Sequence, residues 1–333
     1  MKINLTILPQ CSIFIMLDNS YLQQKKGEVF MSLSGDIAIK IMRLIHPGKG
    51  SFKNIEKCRK RAEKENAKAK FIMPKNRKVK YELVDNTEYP CLIIRSKKNK
   101  SSDKNKAILY IYGGITNCWK IQIDFAVDYA DRTGLDVWYP IYPSVSEVNI
   151  TKSIDVLYNI YVKMTERYNH EKIAIVGLSF GGSFALEIIN WNNRSKNPVG
   201  MPGLIIAHSP GGIPDTEEDW AELQKYEKKD PFFALCDVQV IPELTAHGEE
   251  VPNHSVTPIH ENFKNAPPTY MYYGEEVLAG NAAAYRRAFE RDGAGDRLHI
   301  DINENMMHGY SCMPVFPESK KSYFESVDLI NNM

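Results

Sequence analysis

Apolar residues along this chain fall into two patterns. Short runs rich in apolar residues predict strands, and they lie at residues 79–84, 91–95, 107–112, 135–139, 172–177, 203–208, 269–273 and 297–302. Longer stretches with apolar residues at helical spacing predict helices, and they lie at residues 119–132, 151–168, 183–189 and 281–292. Strands that alternate with helices predict an α/β fold whose mostly parallel central sheet is covered by helices on both faces.

The segments outside this alternation suggest how the chain is organised. Residues 31–75 contain two helix-like stretches, and we expect them to form an N-terminal helical cap ahead of a main domain at 76–333. About 60 residues separate the sixth and seventh predicted strands, which is too long for a plain loop, so we expect an inserted lid segment at about 212–262. Residues 1–30 end in a stretch that a purine-rich ribosome-binding sequence could encode, just before Met31. We interpret them as an over-extended gene start or a disordered segment.

Charge and composition exclude several classes of function. The 333 residues contain 42 Lys and Arg against 41 Asp and Glu, so no basic field favours nucleic acid as a partner. No apolar stretch reaches a length of about 18 residues, so we expect no stable membrane insertion. The six cysteines are scattered without the spacing of metal ligands, and we expect no metal site and a cytoplasmic protein.

A glycine-rich turn after the fifth predicted strand carries the most informative serine of the chain. The segment reads Gly177-Leu178-Ser179-Phe180-Gly181, and a helical pattern follows it directly. Glycines on both sides permit a sharp turn from strand to helix, which lifts the Ser179 hydroxyl out of the sheet. The helix N-terminus beside it favours a developing negative charge. We therefore predict that Ser179 is a nucleophile; the alternative is a glycine turn that only packs closely.

A serine nucleophile needs a base and a carboxylate, and the chain offers both after later strands. Among eight histidines, His308 lies in the loop after the last predicted strand and is the candidate base. Glu275 and Glu276 follow the seventh predicted strand, and either could orient the histidine. The carboxyl ends of parallel strands meet at one edge of a sheet, so we expect these side chains to gather there.

Backbone donors and pocket walls complete the expected site. Gly113 and Gly114 end the third predicted strand, and their N–H groups could bind an oxyanion together with the N–H of Phe180. An ordinary glycine turn is the alternative. Candidate residues of the substrate pocket are Trp119, Tyr142 and His208, with Phe180 as a further wall.

These motifs resemble the hormone-sensitive-lipase-like branch of the α/β-hydrolase superfamily, which comprises esterases and lipases with an N-terminal cap. Tyr112-Gly113-Gly114-Ile115 stands where that family has His-Gly-Gly-Gly, so one histidine and one glycine of the motif are missing. Glu276-Val277-Leu278 stands at the family's Asp-Pro-Leu motif, with glutamate for aspartate. The family's order of serine, carboxylate and histidine is kept. The resemblance selects Glu276 over Glu275 as the third member of a Ser179, Glu276, His308 triad.

The function that the resemblance implies is hydrolysis of carboxylic esters with short to medium acyl chains, through an acyl-enzyme. The resemblance implies a small-molecule ester as substrate. It also implies a reaction that needs no metal or organic cofactor. A homodimer is the one assembly that we consider. An amidase or peptidase on the same fold stays open, and so does a ligand-binding homologue that has lost turnover. A dinucleotide-binding oxidoreductase is disfavoured because no Gly-x-Gly-x-x-Gly fingerprint occurs.

Overall fold

The computed structural model of the chain describes residues 40, 43, 49–98, 100–101, 103–260, 262–312 and 314–333. The predicted segment 1–30 lies outside the described residues, and so does most of the first predicted cap helix. Within the described residues, no helix has both the length and the apolar composition that a membrane span requires.

All eight predicted strands are present in one central sheet. They are β1 (Val79–Leu83), β2 (Cys91–Ser96), β3 (Ala107–Ile111), β4 (Asp136–Pro140), β5 (Ile173–Leu178), β6 (Leu204–His208), β7 (Thr269–Tyr273) and β8 (Leu298–Ile302). The strands lie side by side in the order β1-β2-β4-β3-β5-β6-β7-β8. β2 pairs antiparallel with β1 and β4, and every other neighbouring pair is parallel. The predicted mostly parallel sheet is confirmed.

Helices connect and cover the strands. In the part of the chain that the structure describes they are α1 (Ile55–Asn66), α2 (Trp119–Thr133), α3 (Ile150–Thr165), α4 (Phe180–Arg194), α5 (Glu217–Glu227), α6 (Leu235–Gln239), α7 (Ile241–Ala246), α8 (Asn253–Val256), α9 (Ala282–Arg291) and α10 (Pro317–Asn332). α2 packs against α10, and α3 packs against α4. Helices cover both faces of the sheet, as predicted. The insertion at 212–262, between β6 and β7, contains α5 to α8. The C-terminal helix α10 was not predicted.

Local sequence explains where the polar helices begin. Asn54 caps α1, because its side-chain oxygen accepts a hydrogen bond from the Lys57 N–H at 2.9 Å. Thr216 caps α5 in the same way through the Asp219 N–H at 3.1 Å, and three acidic residues fill the first turn of that helix. Negative charges there face the positive end of the helix dipole, so these residues stabilise the helix where it starts.

The core lies on both sides of the central parallel strands. Every residue of β3, β5 and β6 is buried, as expected for strands covered by helices on both faces. Fully burying one aliphatic side chain contributes about 1.5–3 kcal/mol, so these three strands supply much of the stability of the fold. β8 is an edge strand, and most of its residues keep some exposure.

Strand order determines where the candidate site forms. β5, β6, β7 and β8 are parallel neighbours, so their carboxyl ends meet at one edge of the sheet. Ser179 directly follows β5, Glu275 and Glu276 follow β7, and His308 follows β8. The fold therefore brings together three segments that are far apart in the sequence.

Candidate active site

The turn between β5 and α4 holds Ser179 in a backbone conformation that few residues adopt. Its φ is +56°, and its N–H donates to the His208 carbonyl at 2.7 Å. Glycine is required on both sides by close backbone approach. A Cβ on Gly177 would lie 2.1 Å from the Gly181 carbonyl oxygen, and one on Gly181 would lie 2.1 Å from that of Ile111. The predicted sharp turn is therefore present, and Ser179 stands at the N-terminus of α4.

Glu276 and His308 form a buried pair beside this turn. The His308 Nδ1–H donates to Glu276 Oε2, and the Glu276 side chain is fully buried. Glu276 Oε1 accepts from the Ser209 hydroxyl at 2.5 Å and from the Gly274 N–H at 3.1 Å. Three groups thus hold the carboxylate, and its contact with Nδ1 fixes the imidazole tautomer in which Nδ1 carries the proton.

The other imidazole nitrogen, His308 Nε2, is the group available for chemistry. It is buried and has no hydrogen-bond partner among the described residues. His308 and Ser179 line the same cavity, although no hydrogen bond between them is described. Catalytic hydrogen bonds often tighten only when substrate is bound. The absence of a hydrogen bond to Ser179 is therefore compatible with His308 as the candidate base.

Two opposing effects determine the charge state of His308. Burial by itself lowers its pKa, because a buried imidazolium loses its hydration. The charge and hydrogen bond of Glu276 outweigh burial, and the Asp230 charge acts in the same direction. The pKa of His308 therefore lies above its usual value of 6.5.

Glu275, the alternative carboxylate, points elsewhere. It accepts from the Arg43 guanidinium at 2.7 Å and from the Lys229 ammonium at 2.5 Å. Burial favours a raised pKa for Glu275, but these two cations outweigh burial and lower it. Of the two glutamates, Glu276 is the one that contacts His308.

The glycine loop that the sequence predicts to bind an oxyanion follows β3, but one of its predicted donors is engaged. The Gly113 N–H donates to Gln122 Oε1 at 2.8 Å, and Gln122 Nε2 donates to the Gly113 carbonyl at 2.9 Å. The prediction that Gly113 supplies a free donor is therefore wrong. Gly114, with φ +107°, and Phe180, the first residue of α4, both line the cavity and are the remaining candidates. A Cβ on Gly113 would lie 2.2 Å from the Leu178 carbonyl oxygen, so the loop needs glycine there to approach the turn.

The cavity itself is small and mostly apolar. Its volume is about 110 Å³. Its apolar walls are Phe52, Ile115, Ile150, Phe180, Phe184, Ile213, Phe232, Phe233, Val238, Ile241, Val256 and Leu278. Phe52 precedes α1, and the insertion at 212–262 contributes six of these walls, so both segments line the cavity. The one charged side chain beside His308 in this lining, Asp237, accepts three backbone N–H groups and is not left to bind a charged ligand.

Trp119 and Tyr142, two of the predicted pocket residues, do not line this cavity. Trp119 is buried, and its indole N–H donates to the Ala69 carbonyl at 2.8 Å. The Tyr142 hydroxyl donates to the Tyr112 carbonyl at 2.5 Å, and the two rings stack with their centroids 4.4 Å apart. Trp119 therefore packs against the segment before β1 and Tyr142 against Tyr112, and the prediction is wrong for both.

His208, the third predicted pocket residue, lies in the core. Its Nδ1 lies 2.7 Å from the Ser311 hydroxyl, its Nε2 lies 3.3 Å from the Tyr129 hydroxyl, and its ring stacks on Tyr272. Burial lowers the pKa of His208 to about 3, so the ring stays neutral. The predicted contact with substrate is wrong, and the residue instead supports the turn through its backbone carbonyl.

Sequence reasoning missed three buried polar residues around the site. They are Gln122 on α2, Ser209 directly after β6, and Asp230 in the insertion. The Ser209 hydroxyl donates to Glu276 and accepts the Gly309 N–H at 2.9 Å, so it joins the loops of the acid and the histidine. Its position at the carboxyl end of a central strand was a usable signal. Gln122 and Asp230 carry no comparable mark in the sequence.

Known proteins support the fold and the family. A model of the α/β-hydrolase fold family matches residues 108–312. Serine carboxypeptidase-like 25 of Arabidopsis thaliana is 43% identical over 47 residues, which are 13% of this chain and 10% of that protein. The chain therefore matches only about a tenth of the length of this curated relative.

Solved structures extend the likeness to most of the chain. EstE5, in crystals soaked with p-nitrophenyl butyrate, matches with a TM-score of 0.69 and 17% identity over 90% of this chain and 98% of that one. An esterase from the bacterial hormone-sensitive lipase family matches with a TM-score of 0.70 and 17% identity over 90% and 97%. At these identities the likeness shows the shared fold. The family match, which covers more than half of the chain, shows that the chain belongs to the α/β-hydrolase fold family.

Proposed function

We propose that the chain is a carboxylesterase that cleaves esters of short to medium acyl chains through an acyl-enzyme on Ser179. One observation carries this proposal. The buried Glu276–His308 pair presents an unpartnered Nε2 in the same cavity as a serine on a strained strand-to-helix turn. That is the set of groups that an unreactive hydroxyl needs to become a nucleophile.

The reaction follows from these groups in two steps. His308 Nε2 takes the Ser179 proton as the hydroxyl attacks the ester carbonyl carbon, and then gives that proton to the leaving alcohol oxygen as the ester bond breaks. Water repeats the sequence on the acyl-enzyme, releases the acid and restores Ser179. Glu276 holds the imidazolium that forms in each step. The N–H groups of Gly114 and Phe180, with the N-terminus of α4, receive the charge on the carbonyl oxygen.

The walls of the cavity support an apolar, uncharged substrate. Twelve of the lining residues are aliphatic or aromatic, and Asp237 is already satisfied by backbone donors. A charged acyl group would lose its hydration there without gaining a partner. The cavity, with a volume of about 110 Å³, has room for a short acyl chain. EstE5, the structural relative soaked with p-nitrophenyl butyrate, suggests a suitable test substrate.

The test compares the serine variant with a second serine of the same cavity. Ser179→Ala should lower turnover of p-nitrophenyl butyrate by a factor on the order of 10⁶ and abolish labelling by a fluorophosphonate. Ser183→Ala removes another cavity-lining hydroxyl, which contacts Gly211 at 3.1 Å, and should still be labelled at Ser179. Hydrolysis by folded Ser179→Ala at the wild-type rate would refute the proposal.

A matched amide distinguishes the esterase from an amidase. The p-nitroanilide of butyric acid has the same acyl group and the same aromatic ring as the ester. We expect ester turnover to exceed anilide turnover by several orders of magnitude. Comparable rates would reassign the chain to amide hydrolysis while leaving the role of Ser179 intact.

A further inference from the structure

Asp230 is a second buried carboxyl group beside the Glu276–His308 pair. It lies in the insertion between α5 and α6 and is fully buried. Its Oδ1 accepts the N–H groups of Phe232 at 2.7 Å and Phe233 at 3.1 Å. Its Oδ2 accepts the N–H of Val277 at 2.7 Å. One carboxylate therefore joins a wall of the cavity to the residue that directly follows Glu276.

The segment that Asp230 holds contacts the imidazole itself. The Phe233 ring meets the His308 ring edge to face, with centroids 4.9 Å apart and an angle of 80° between the planes. Phe232 and Phe233 both line the cavity. A shift of this segment would therefore change the contact surface of His308 and the shape of the cavity together.

We propose that Asp230 is a positioning residue that fastens the insertion to the acid loop and, through its negative charge, helps Glu276 to hold the His308 imidazolium. This role rests on the proposed esterase function, because only a base that becomes charged during turnover benefits from a second anion. Asp230 acts through His308 and contacts no reacting atom.

The charges around the pair are consistent with this role. Asp230 faces Glu276 and His308, and the Lys49 ammonium lies 3.5 Å from its backbone carbonyl oxygen. The other titratable groups near Glu276 are Tyr273, Tyr310 and Cys312, and burial raises the pKa of each, so all stay neutral near pH 7. Among the described residues, the charges that act on His308 are those of Glu276 and Asp230, and no cation is among them.

Asp230 is ionised in the range where His308 loses its proton. Burial, followed by the charge of Glu276, raises the pKa of Asp230 to about 6, although three backbone N–H groups oppose this. The pKa of His308 lies above 6.5. From pH 6.5 upward, most Asp230 carboxyls therefore carry the charge that stabilises the imidazolium. Below pH 6 that stabilisation should fade.

Asp237 provides a matched control in the same insertion. Its carboxylate is also buried, also accepts three backbone N–H groups, from Gly50, Phe52 and Ala234, and also has a pKa raised by burial. Unlike the charge of Asp230, the charge of Asp237 is not among the causes that raise the pKa of His308. Loss of either side chain removes comparable packing and hydrogen bonds, but only loss of Asp230 removes a charge that His308 feels.

The experiment follows the His308 titration directly by NMR of protein labelled at histidine ¹³Cε1, with His308→Gln used to assign the signal. Asp230→Asn should lower the His308 pKa, whereas Asp237→Asn should leave it at the wild-type value. In parallel, Asp230→Asn should lower kcat on p-nitrophenyl butyrate by about tenfold and move the acidic limb of the pH profile to lower pH. The difference from wild type should shrink below pH 6.

A variant that fails to fold does not end the test. In the wild-type protein, the His308 signal should show an additional inflection near pH 6 as Asp230 titrates, and Asp237→Asn should keep that inflection. An unmoved His308 titration in folded Asp230→Asn, or a wild-type signal without the inflection, overturns the role of Asp230 and leaves the esterase function standing. A folded wild-type protein without ester hydrolysis overturns the function, while the NMR titration still decides the coupling.

Discussion

Replacing the two neighbouring glutamates one at a time tests the proposal that Glu276 orients His308 while Glu275 only forms ion pairs. Glu276→Gln keeps the size of a fully buried side chain but removes the carboxylate that accepts the His308 Nδ1–H. A glutamine NH₂ facing Nδ1 would leave the proton on Nε2, the nitrogen that accepts the Ser179 proton in the proposed mechanism. Both the charge and the tautomer would then be wrong for a base.

The expected sizes of the two effects differ by orders of magnitude. Loss of a triad acid costs about 10⁴ in turnover, so we expect that loss in Glu276→Gln with little change in KM. Glu275→Gln removes ion pairs to Arg43 and to Lys229, whose side chain is 52% exposed. Pairs of this kind contribute about 0.2–1 kcal/mol each to stability, so Glu275→Gln should keep turnover within about tenfold of wild type.

The pH dependence of stability identifies the second variant independently of activity. The pKa of Glu275 is lowered in the folded protein, so its contribution is present above the unfolded pKa of 4.5 and is lost as pH falls through the lower folded value. Glu275→Gln should therefore have a lower Tm than wild type at pH 7, and the difference should narrow below pH 4.5.

Steady-state kinetics on p-nitrophenyl butyrate and thermal unfolding monitored by circular dichroism measure both variants under the same conditions. A large loss of turnover in Glu275→Gln, together with turnover near the wild-type rate in Glu276→Gln, would refute the assignment of the acid. Similar, mild losses in both variants would refute the idea that either glutamate orients the base.

Two further predictions concern residues that support the site. Gln122→Leu strips both hydrogen bonds from Gly113 and should lower kcat roughly 10- to 100-fold and the unfolding free energy by about 1–3 kcal/mol; unchanged kinetics in the folded variant would show that the loop is held by other contacts. His208 has a pKa lowered by burial to about 3, so its contribution to stability is present above its unfolded pKa of 6.5 and is lost as pH falls toward 3. His208→Gln should flatten the decrease of Tm between pH 6.5 and 4, and a Tm that falls in parallel with wild type would contradict this.

The sheet could be predicted because the composition of its central strands indicates that they are buried. β3, β5 and β6 consist almost entirely of apolar residues. Short runs of this kind are typical of parallel strands that helices cover on both faces. The short helices of the insertion were less predictable. α6 has five residues and α7 has six, so local propensity cannot stabilise them alone, and they form where tertiary contacts hold them.

Individual side-chain contacts were predicted less well than the segments that carry them. Trp119 and Tyr142 lie close to site motifs in the sequence, but Trp119 contacts Ala69, Tyr142 packs on Tyr112, and neither lines the cavity. Position along a strand or helix predicts which segment reaches the site, whereas the direction of a side chain depends on neighbours from distant segments. The Gly113 N–H shows the same effect, because its partner Gln122 returns from the following helix.

The choice between Glu275 and Glu276 shows what a local conformation adds to sequence spacing. Both residues follow β7, and both are close enough to reach the loop of His308. Glu276 has φ −128° and ψ 158°, an extended conformation in which neighbouring side chains point to opposite sides. When Glu276 points inward to His308, Glu275 must therefore point outward, where Arg43 and Lys229 meet it. A shift of one residue would exchange the two roles, so the hydrogen bonds to Glu276 from Ser209 and Gly274 also fix the register of the acid loop.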